Sequence, residues 1–568
     1  MDRWREATSE LATIPAVVAD RARRYGARVA VVTPKGQLTY AELATEARRV
    51  TRAMMWLGVQ PEERVAIWAP NGARWVIAAL GVLGAGATLV PISTRLRGPE
   101  TAEILARSRC RMLFTVREFL GTDYPRMLRE SGHALPELRT TVHLHGPTSR
   151  NHDANPRSRK RFADPARDGI GGRIGRTHHE DLSWSGFLAL ATGVPVAEAD
   201  ARSASVDAEA VSDILFTSGT TGVQKGVPAT HRQTIETFTR WADAVTLSGN
   251  DRYLLVNPFA HTFGYKAGVI ACLLRGATMV PVNRFDPEQA FGLVERERIT
   301  VLTGPPTLFH DLLDHDRRHA HDLSSLRLVG TGGSSVPTGL VERIRRSLGA
   351  EKVFTAYGLT ESNGVVTVCP PDAPADLIAG TVGKALPGVQ VRIVDAAGRP
   401  VSAGEPGEIV VRGPTVMHGY LDDPGATTAA IDSSGWLHAG DVGTLDADGY
   451  LRITDRLADL FIVGGFNAYP AEIERILLMH PAIREAAVVG VPDSRLGEVG
   501  CAFVVRNGTV DIDTAEIIAW ARTRMAGYKV PRRIEFVASL PRNASGKVLK
   551  RILPLPQSGL CNAPKTHS

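Results

Sequence analysis

A loop rich in serine, threonine and glycine offers the clearest chemistry in this sequence. The apolar segment ILF, predicted to be a strand, leads into TSGTTGVQKG at residues 217–226. Glycines let a backbone approach a phosphate closely, hydroxyl groups donate hydrogen bonds to its oxygens, and a lysine offsets its charge. The loop departs from the Walker A pattern, because Gly226 follows Lys225 where that pattern requires serine or threonine. A phosphate site is the favoured interpretation, and a surface loop of the same composition is the alternative.

Eight further segments follow or precede this loop in a fixed order. They are LTYAEL (38–43), GAGATLVP (84–91), NPFAHTFG (257–264), AYGLTES (356–362), GEIVVRG (407–413), GWLHAGDVG (435–443), TDRLADLFIVGGFNAYPAEIE (454–474) and PRNASGKVLKR (541–551). Together with TSGTTGVQKG they resemble the adenylate-forming superfamily of acyl-CoA synthetases, peptide-synthetase adenylation domains and luciferases. The resemblance covers nearly the whole chain. Gln224 is a mild departure, since the family usually has proline there.

The resemblance implies an enzyme with two half-reactions, an AMP-forming acid–thiol ligase. A carboxylate attacks the α-phosphate of ATP to give acyl-AMP and pyrophosphate, and the thiol of CoA then displaces AMP. ATP, Mg²⁺ and CoA are therefore the expected cofactor and co-substrates, and a small-molecule carboxylic acid is the expected partner. An acyl-AMP ligase that loads a separate carrier protein, or a medium-chain fatty acyl-CoA synthetase, is the alternative. A P-loop NTPase or kinase would instead release ADP.

The resemblance also assigns roles around the nucleotide. Thr217, with a catalytic role, and Lys225 hold the β- and γ-phosphates, and further phosphate contacts come from Ser218, Gly219, Thr220, Thr221 and Gly222. Glu361 is the expected Mg²⁺ ligand and a catalytic residue, because Mg²⁺ is a hard ion that prefers oxygen. Thr360 lies beside it, and Tyr357 is expected to stack on adenine.

Three more residues complete the implied site for the first half-reaction. Asp441 is expected to accept hydrogen bonds from the ribose hydroxyls, and Arg456 to reach the same nucleotide. Lys547 is the implied catalytic lysine, which bridges the substrate carboxylate and the α-phosphate. Taken alone, a lysine near a C-terminus is usually a solvated surface group, so this role depends on the surrounding PRNASGKVLKR.

Other residues are expected to serve the acyl group and the thiol. His261 is interpreted as an aromatic gate beside the acyl pocket, with a satisfied core histidine as the alternative. The small domain of the family rotates about a hinge, which falls here at Ala458, where relatives usually carry aspartate or lysine. Gly464 and Gly465 are expected to line the channel for the pantetheine arm of CoA.

The patterning supports an α/β fold class. Short β-branched runs alternate with helical stretches up to about residue 145, which predicts βα units and a largely parallel sheet. The resemblance implies the adenylate-forming fold, with a large N-terminal AMP-binding domain at 1–457 built from two α/β subdomains and a distorted β-barrel. A small, mobile α+β C-terminal domain is predicted at 458–553. Residues 147–181 are interpreted as a mobile insertion and 554–568 as a disordered tail.

Composition excludes several classes of protein. The 568 residues are 43% hydrophobic and 22% charged, which is unlike a disordered chain or a fibrous repeat. The net charge of +6 is concentrated in 150–176, so a basic surface for nucleic acid is not expected. Five scattered cysteines have no metal-ligand spacing and suit a reducing cytoplasm. The uncharged stretch 75–92 contains glycines and a proline, so it predicts a buried helix, a turn and a strand rather than a membrane span.

The acyl pocket is expected around 261–268, 304–307, 330–335 and 356–358. Small residues there, Gly332, Gly333 and Gly358, are interpreted as room for a bulky or ring-shaped acid. The stretches NPFAHTFGYKAG and TVLTGPPTLF resemble bacterial synthetases for propionate side chains of degraded steroid rings, which indicates ring-acid catabolism. An aromatic acid made for antibiotic biosynthesis fits equally well.

Overall fold

The N-terminal part of the chain builds a mostly parallel sheet covered by helices. The computed structural model describes residues 11–145, 179–217, 224–332, 336, 339–456, 459, 461–463, 466–493, 496–508, 512–525, 527–542 and 548–554. The first elements are α1 (Ile14–Tyr25), β1 (Val29–Thr33), β2 (Gly36–Thr39), α2 (Tyr40–Trp56), β3 (Arg64–Trp68), α3 (Ala73–Gly84), β4 (Thr88–Ile92), α4 (Gly98–Arg107), β5 (Met112–Thr115), β6 (Glu118–Phe119), β7 (Thr122–Asp123), α5 (Tyr124–Glu130), β8 (Thr140–His143), β9 (Glu180–Ser183), α6 (Trp184–Ala189), α7 (Val196–Ala204), β10 (Val211–Thr217) and β11 (Lys225–Thr230). Seven of these strands form one sheet in the order β11-β10-β4-β3-β5-β8-β9, in which only β10 and β11 pair antiparallel.

A second, nine-stranded sheet follows and takes β1 and β2 as one edge. Its other elements are α8 (His231–Ala244), β12 (Arg252–Leu255), α9 (Thr262–Gly264), a π-helix (Tyr265–Ile270), α10 (Ala271–Arg275), β13 (Thr278–Pro281), α11 (Pro287–Glu297), β14 (Val301–Gly304), α12 (Pro306–Leu313), β15 (Leu328–Gly332), α13 (Leu340–Leu348), β16 (Lys352–Tyr357), β17 (Thr367–Val368), α14 (Ala375–Gly380) and β18 (Lys384–Ala385). The strand order is β18-β17-β16-β15-β14-β12-β13-β1-β2. Short 3₁₀ turns occur at Leu190–Gly193, Asp316–Ala320, Thr360–Ser362 and Lys550–Ile552.

The strand-rich texture after residue 389 becomes a four-stranded antiparallel sheet. It contains β19 (Gln390–Val394), β20 (Gly407–Arg412), β21 (Leu437–Leu445) and β22 (Leu451–Arg456), with α15 (Pro424–Ala430) between β20 and β21. This sheet occupies the region for which the distorted barrel is predicted.

The C-terminal part is a small α+β unit. It comprises β23 (Phe461–Val463), β24 (Phe466–Ala468), α16 (Pro470–Leu477), β25 (Ile483–Asp493), β26 (Gly497–Arg506), α17 (Thr514–Arg522) and β27 (Arg533–Phe536). The strands run β24-β23-β26-β25, with β27 parallel to β26. Its apolar side chains, from Phe461 to Ile534, form a cluster of their own, which is typical of a separate domain. The predicted fold class, a large N-terminal and a small C-terminal α/β unit, is confirmed.

The uncharged stretch 75–92 lies in the middle of the first sheet. Helix α3 is buried from Trp75 to its end at Gly84, and strand β4 is buried throughout. A Cβ at Gly81 would meet Val50 Cγ1 at 2.3 Å, so glycine is what lets α3 approach α2. The predicted buried helix, turn and strand are therefore confirmed. Among the described residues, no helix is both long and apolar enough to cross a bilayer.

The C-terminal end of the predicted insertion is part of the first sheet. Strand β9 begins at Glu180 and pairs parallel with β8, and Asp181 contacts the ring of His143 at 2.5 Å. The last two residues of the range 147–181 therefore belong to the first sheet. β9 is an edge strand whose side chains alternate between half-buried and exposed. Its sequence EDLS therefore lacks the β-branched and aromatic residues that predict a strand.

Candidate active site

Two of the phosphate-loop candidates, Thr217 and Lys225, lie at the adjoining ends of the paired strands β10 and β11. Thr217 ends β10 and is the cross-strand partner of Lys225, which begins β11. The guanidinium of Arg107 donates a hydrogen bond to the carbonyl of Gln224 and so holds one side of the loop. The candidates that lie outside the described residues are Ser218, Gly219, Thr220, Thr221 and Gly222. The hairpin keeps Thr217 and Lys225 directly opposite each other, since cross-strand partners are close neighbours.

Tyr420 connects the loop lysine with the predicted metal ligand. The Nζ of Lys225 lies 4.8 Å from the centre of the Tyr420 ring. The hydroxyl of the same tyrosine donates a hydrogen bond to Glu361 Oε1 at 2.9 Å. Desolvation, and next the charge of Glu361, raise the pKa of Tyr420, so its hydroxyl remains a donor. Lys225 and Glu361 thus both contact the side chain of Tyr420.

Glu361 lies in the turn that follows β16. Thr360 and Glu361 occupy the 3₁₀ turn Thr360–Ser362, shortly after β16 ends at Tyr357. The carbonyl of Glu361 accepts a hydrogen bond from the backbone N–H of Met417 at 2.8 Å, which ties the turn to the segment before Tyr420. In open α/β sheets, ligands bind beyond the carboxyl ends of the strands. The turn therefore has the position that a ligand site in this fold requires.

The residues assigned to adenine and ribose contact each other. Tyr357 Oη donates a hydrogen bond to Asp441 Oδ2 at 2.6 Å, and both residues are buried. Asp441 is also the cross-strand partner of Arg456, since β21 and β22 pair antiparallel. Three residues separated by up to about 100 positions are thus brought to one place. Adenine and ribose are adjacent parts of one nucleotide, and the arrangement suits them.

The segment that contains His261 packs close to the turn that contains Glu361. A Cβ at Gly364, whose φ is +95°, would lie 2.6 Å from Thr262 Cβ. A Cβ at Gly358 would lie 2.4 Å from the Cα of Val365. Glycine at both positions permits this close packing, so Gly358 serves the turn itself. The interpretation of Gly358 as room for the acyl group stays a prediction.

His261 is exposed at the start of α9. It caps α9, where its Nδ1 accepts a hydrogen bond from the backbone N–H of Phe263 at 3.2 Å. Desolvation lowers the pKa of His261 below its usual value. The side chain is exposed, which favours the gate interpretation over a satisfied core histidine.

Several predicted residues lie outside the described part of the chain. These are the catalytic candidate Lys547, the hinge residue Ala458 and the channel residues Gly464 and Gly465. The ends of the segment that contains Lys547 are described: Arg542 and Val548 form a β-bridge, and Arg542 donates to Glu485. Lys550 forms an ion pair with Glu474 at 2.8 Å. These contacts attach Arg542 and Lys550 to the small domain.

Sequence reasoning missed Tyr420 and a buried group formed by Asp213, Lys266 and Asn363. The ammonium of Lys266 lies 2.8 Å from Asp213 Oδ1 and also donates to Asn363 Oδ1. None of these residues has a spacing that marks it. A signal was nevertheless present, because a charged residue inside an apolar helical stretch, as in GYKAGVIACLL, requires a buried partner.

Comparison with known proteins decides the family. Residues 18–421 match the AMP-binding enzyme family, and residues 472–547 match the AMP-binding enzyme C-terminal domain. The chain belongs to the AMP-binding enzyme family. It is an acyl-CoA ligase, with ATP, CoA and a small-molecule carboxylic acid as substrates. The predicted family and the predicted class of enzyme are confirmed.

Two relatives that carry the same name are similar to this chain over nearly its full length. The 3-[(3aS,4S,7aS)-7a-methyl-1,5-dioxo-octahydro-1H-inden-4-yl]propanoyl:CoA ligase of Rhodococcus jostii (strain RHA1) is 44% identical over 546 residues, which are 96% of this chain and 99% of the relative. The ligase of the same name from Mycobacterium tuberculosis (strain ATCC 25618 / H37Rv) is 45% identical over 542 residues, covering 95% and 98% of the two chains. Among solved structures, the anthranilate CoA ligase AuaEII in complex with anthranoyl-AMP has a TM-score of 0.78 at 27% identity, covering 94% of this chain and 95% of that one.

Proposed function

We propose that this ligase acts on a carboxylic acid whose carboxyl group is carried by a bulky ring system. The observation that supports this most strongly is the 44–45% identity, over nearly the full length, with two ligases named for a bicyclic propanoate. The structural neighbour named for anthranilate also carries its acid on a ring. An alicyclic ring with a short acid side chain is favoured over an aromatic acid, because the first two relatives are the more similar. The pathway class that fits is the degradation of ring acids.

The phosphates of ATP are proposed to bind at the β10–β11 hairpin. Lys225 supplies the positive charge, Thr217 supplies a hydroxyl opposite it, and the remaining donors are Ser218, Gly219, Thr220, Thr221 and Gly222. Glu361 is proposed to bind Mg²⁺, with Thr360 beside it. The residues fit that ion, because Glu361 offers a half-buried carboxylate and Mg²⁺ commonly takes one or two carboxylates together with phosphate and water oxygens. Tyr420 fixes the orientation of the Glu361 carboxylate through its hydrogen bond.

The adenosine is proposed to bind at Tyr357 and Asp441. The hydrogen bond between them fixes the carboxylate of Asp441, which then accepts from the ribose hydroxyls. Arg456, opposite Asp441 in the sheet, is proposed to contact the same nucleotide. Lys547 is proposed to stabilise the negative charge that accumulates when the carboxylate attacks the α-phosphate. His261 has a depressed pKa, so it remains neutral at pH 7 and acts as a gate rather than as a charged group.

The second half-reaction is proposed to need a different position of the small domain. Residues 458–553 are proposed to rotate about Ala458, which removes Lys547 from the site and brings Gly464 and Gly465 to the channel for CoA. The boundaries 1–457 for the large domain, 147–181 for the insertion and 554–568 for the tail belong to the same proposal. A cytoplasmic location is also proposed, supported by four buried free cysteines among the described residues, Cys110, Cys272, Cys369 and Cys501.

A panel of acids tests the proposed substrate. Pyrophosphate release is measured with an indenyl propanoate, with benzoate-type acids and with medium-chain fatty acids, each with ATP, Mg²⁺ and CoA. The indenyl propanoate is expected to give the highest kcat/KM, with AMP and pyrophosphate in equal amounts. Preference for a medium-chain acid would overturn the substrate proposal, and ADP as the primary product would overturn the proposed chemistry. Acyl transfer to a carrier protein but not to CoA would favour the alternative acceptor.

A further inference from the structure

A lysine is buried between the two sheets of the large domain. Lys266 lies in the π-helix Tyr265–Ile270, and its side chain is 1% exposed. Its Nζ lies 2.8 Å from Oδ1 of Asp213, whose side chain is 0% exposed. Desolvation lowers the pKa of Lys266, and the charge of Asp213 opposes that shift. Burial of such a pair is costly, so the position calls for an explanation.

The amine of Lys266 has three acceptors. Besides Asp213 it donates to Asn363 Oδ1, and it lies 3.4 Å from Thr234 Oγ1. The amide of Asn363 is held in turn, because its Nδ2 donates to Thr237 Oγ1 at 3.1 Å. One ion pair and two hydrogen bonds therefore surround the amine inside the protein. Because the side chain is 1% exposed, its role must be exerted through these partners.

These partners lie beside the groups proposed to bind ATP. Asp213 is on β10, which ends at Thr217, where the phosphate loop begins. Asn363 follows the 3₁₀ turn that contains Glu361 and has a φ of +58°. Lys266 itself is in the helical segment that begins next to His261. One amine thus links a strand of the first sheet, the turn after a strand of the second sheet and the π-helix, which carry different parts of the site.

Stability alone gives no reason for this arrangement. Replacing a buried ion pair by apolar side chains of similar size is often neutral or stabilising. An apolar pair would fill the space equally well, but it would not hold the Asn363 amide in one orientation. What only the lysine provides is therefore a hydrogen bond that fixes the orientation of the Asn363 amide, and with it the turn after β16.

We infer that Lys266 is a positioning residue for acyl-AMP formation: it holds the Glu361 turn, through Asn363, at a fixed place relative to the strand that leads into the phosphate loop. The inference rests on the proposed function, in which Glu361 binds Mg²⁺. Partners that orient a metal ligand typically contribute about 10–100-fold in metal affinity or activity. The Mg²⁺ dependence of the first half-reaction is therefore the quantity that should change.

Two variants remove the link in different ways. Asn363→Gly removes the amide and retains the backbone conformation, because glycine readily adopts the positive φ found at this position. The double variant Asp213→Leu/Lys266→Met removes both charged groups together and leaves no uncompensated buried charge. Acid-dependent exchange of pyrophosphate into ATP is measured as Mg²⁺ is varied. The release of AMP from preformed acyl-AMP by CoA is measured in parallel.

Both variants are expected to raise the half-saturating Mg²⁺ concentration, or to lower the exchange rate, by about tenfold or more. Their thiolysis of preformed acyl-AMP should stay within about twofold of the wild type, since that step does not use the ATP-bound metal. Thr234→Val is the matched control, because it removes the third contact of Lys266 without touching Asp213 or Asn363. It should leave the Mg²⁺ dependence unchanged.

A folded Asn363→Gly protein with the wild-type Mg²⁺ response would overturn the inference, whether or not the double variant folds. Equal losses in the two half-reactions, or an equal effect of Thr234→Val, would also overturn it by indicating a purely structural role. Glu361→Gln distinguishes the inference from the proposed function. If Glu361→Gln leaves the Mg²⁺ dependence unaltered, the proposed metal ligand is wrong. If Glu361→Gln changes it and Asn363→Gly does not, only the role of Lys266 fails.

Discussion

Tyr420→Phe tests the contact that joins the phosphate loop to the proposed metal ligand. The substitution removes the hydroxyl that donates to Glu361 Oε1 and keeps the ring that lies beside Lys225. A hydrogen bond to an ionised group contributes about 1.5–3 kcal/mol. At about 1.4 kcal/mol per factor of ten, that corresponds to a 10- to 100-fold effect. Both side chains are half-buried, so we expect a value near the lower end, about tenfold.

Tyr420→Leu separates the two functions of this side chain. It removes the hydroxyl and the ring together, and a cation–π contact at a partly exposed site contributes about 0.5–1 kcal/mol. The leucine variant should therefore be a further two- to fivefold weaker than the phenylalanine variant, with the additional loss in the apparent KM for ATP. Tyr124→Phe is the matched control, because Tyr124 also donates through its hydroxyl, to the Thr94 carbonyl, away from the candidate site.

The assay is acid-dependent exchange of pyrophosphate into ATP at varied Mg²⁺ concentration. Tyr420→Phe should raise the half-saturating Mg²⁺ concentration, and Tyr124→Phe should not. Circular dichroism and the midpoint of thermal unfolding establish that both variants are folded. A folded Tyr420→Phe enzyme with the wild-type Mg²⁺ response would refute the argument that the tyrosine orients Glu361 for a metal.

Three further predictions concern other parts of the chain. Lys547→Ala should slow acyl-AMP formation by about 10²–10³-fold and leave thiolysis of preformed acyl-AMP nearly normal. A bulky residue at Gly464 should slow thiolysis and spare acyl-AMP formation. If Lys547→Ala slows both half-reactions equally, the rotating-domain proposal is contradicted. Deletion of residues 148–177, which stops short of β9, should spare ligation, and an inactive but folded product would show that the segment has a function. Burial lowers the pKa of His231 to about 4, so the stabilising contribution of His231 is present above pH 6.5 and is lost as the pH falls toward 4. The free energy of unfolding of His231→Asn, measured with urea at pH 7 and 4.5, should therefore fall less on acidification than that of the wild type. An equal fall in both proteins would contradict this prediction.

The sequence by itself determined the family and the class of reaction, and it indicated the candidate site residues. This was possible because catalysis of one reaction requires particular residue types in short local segments, such as TSGTTGVQKG and AYGLTES, which are visible without any structure. Local patterning also determined elements such as α3 and β4, since a buried helix and strand differ from a membrane span in length and in their glycines. The capping box of Thr39 and Glu42 likewise marks the start of α2 from local chemistry alone.

Only the tertiary structure decided which distant side chains contact one another. The contacts of Tyr420 with Lys225 and Glu361 join segments from three separate regions of the chain. The group formed by Lys266, Asp213 and Asn363 depends on how the two sheets pack. Packing also explains why position 358 has a glycine, since a Cβ there would lie 2.4 Å from the Cα of Val365. Such contacts follow from the relative positions of whole sheets and turns, and no local sequence pattern specifies those positions.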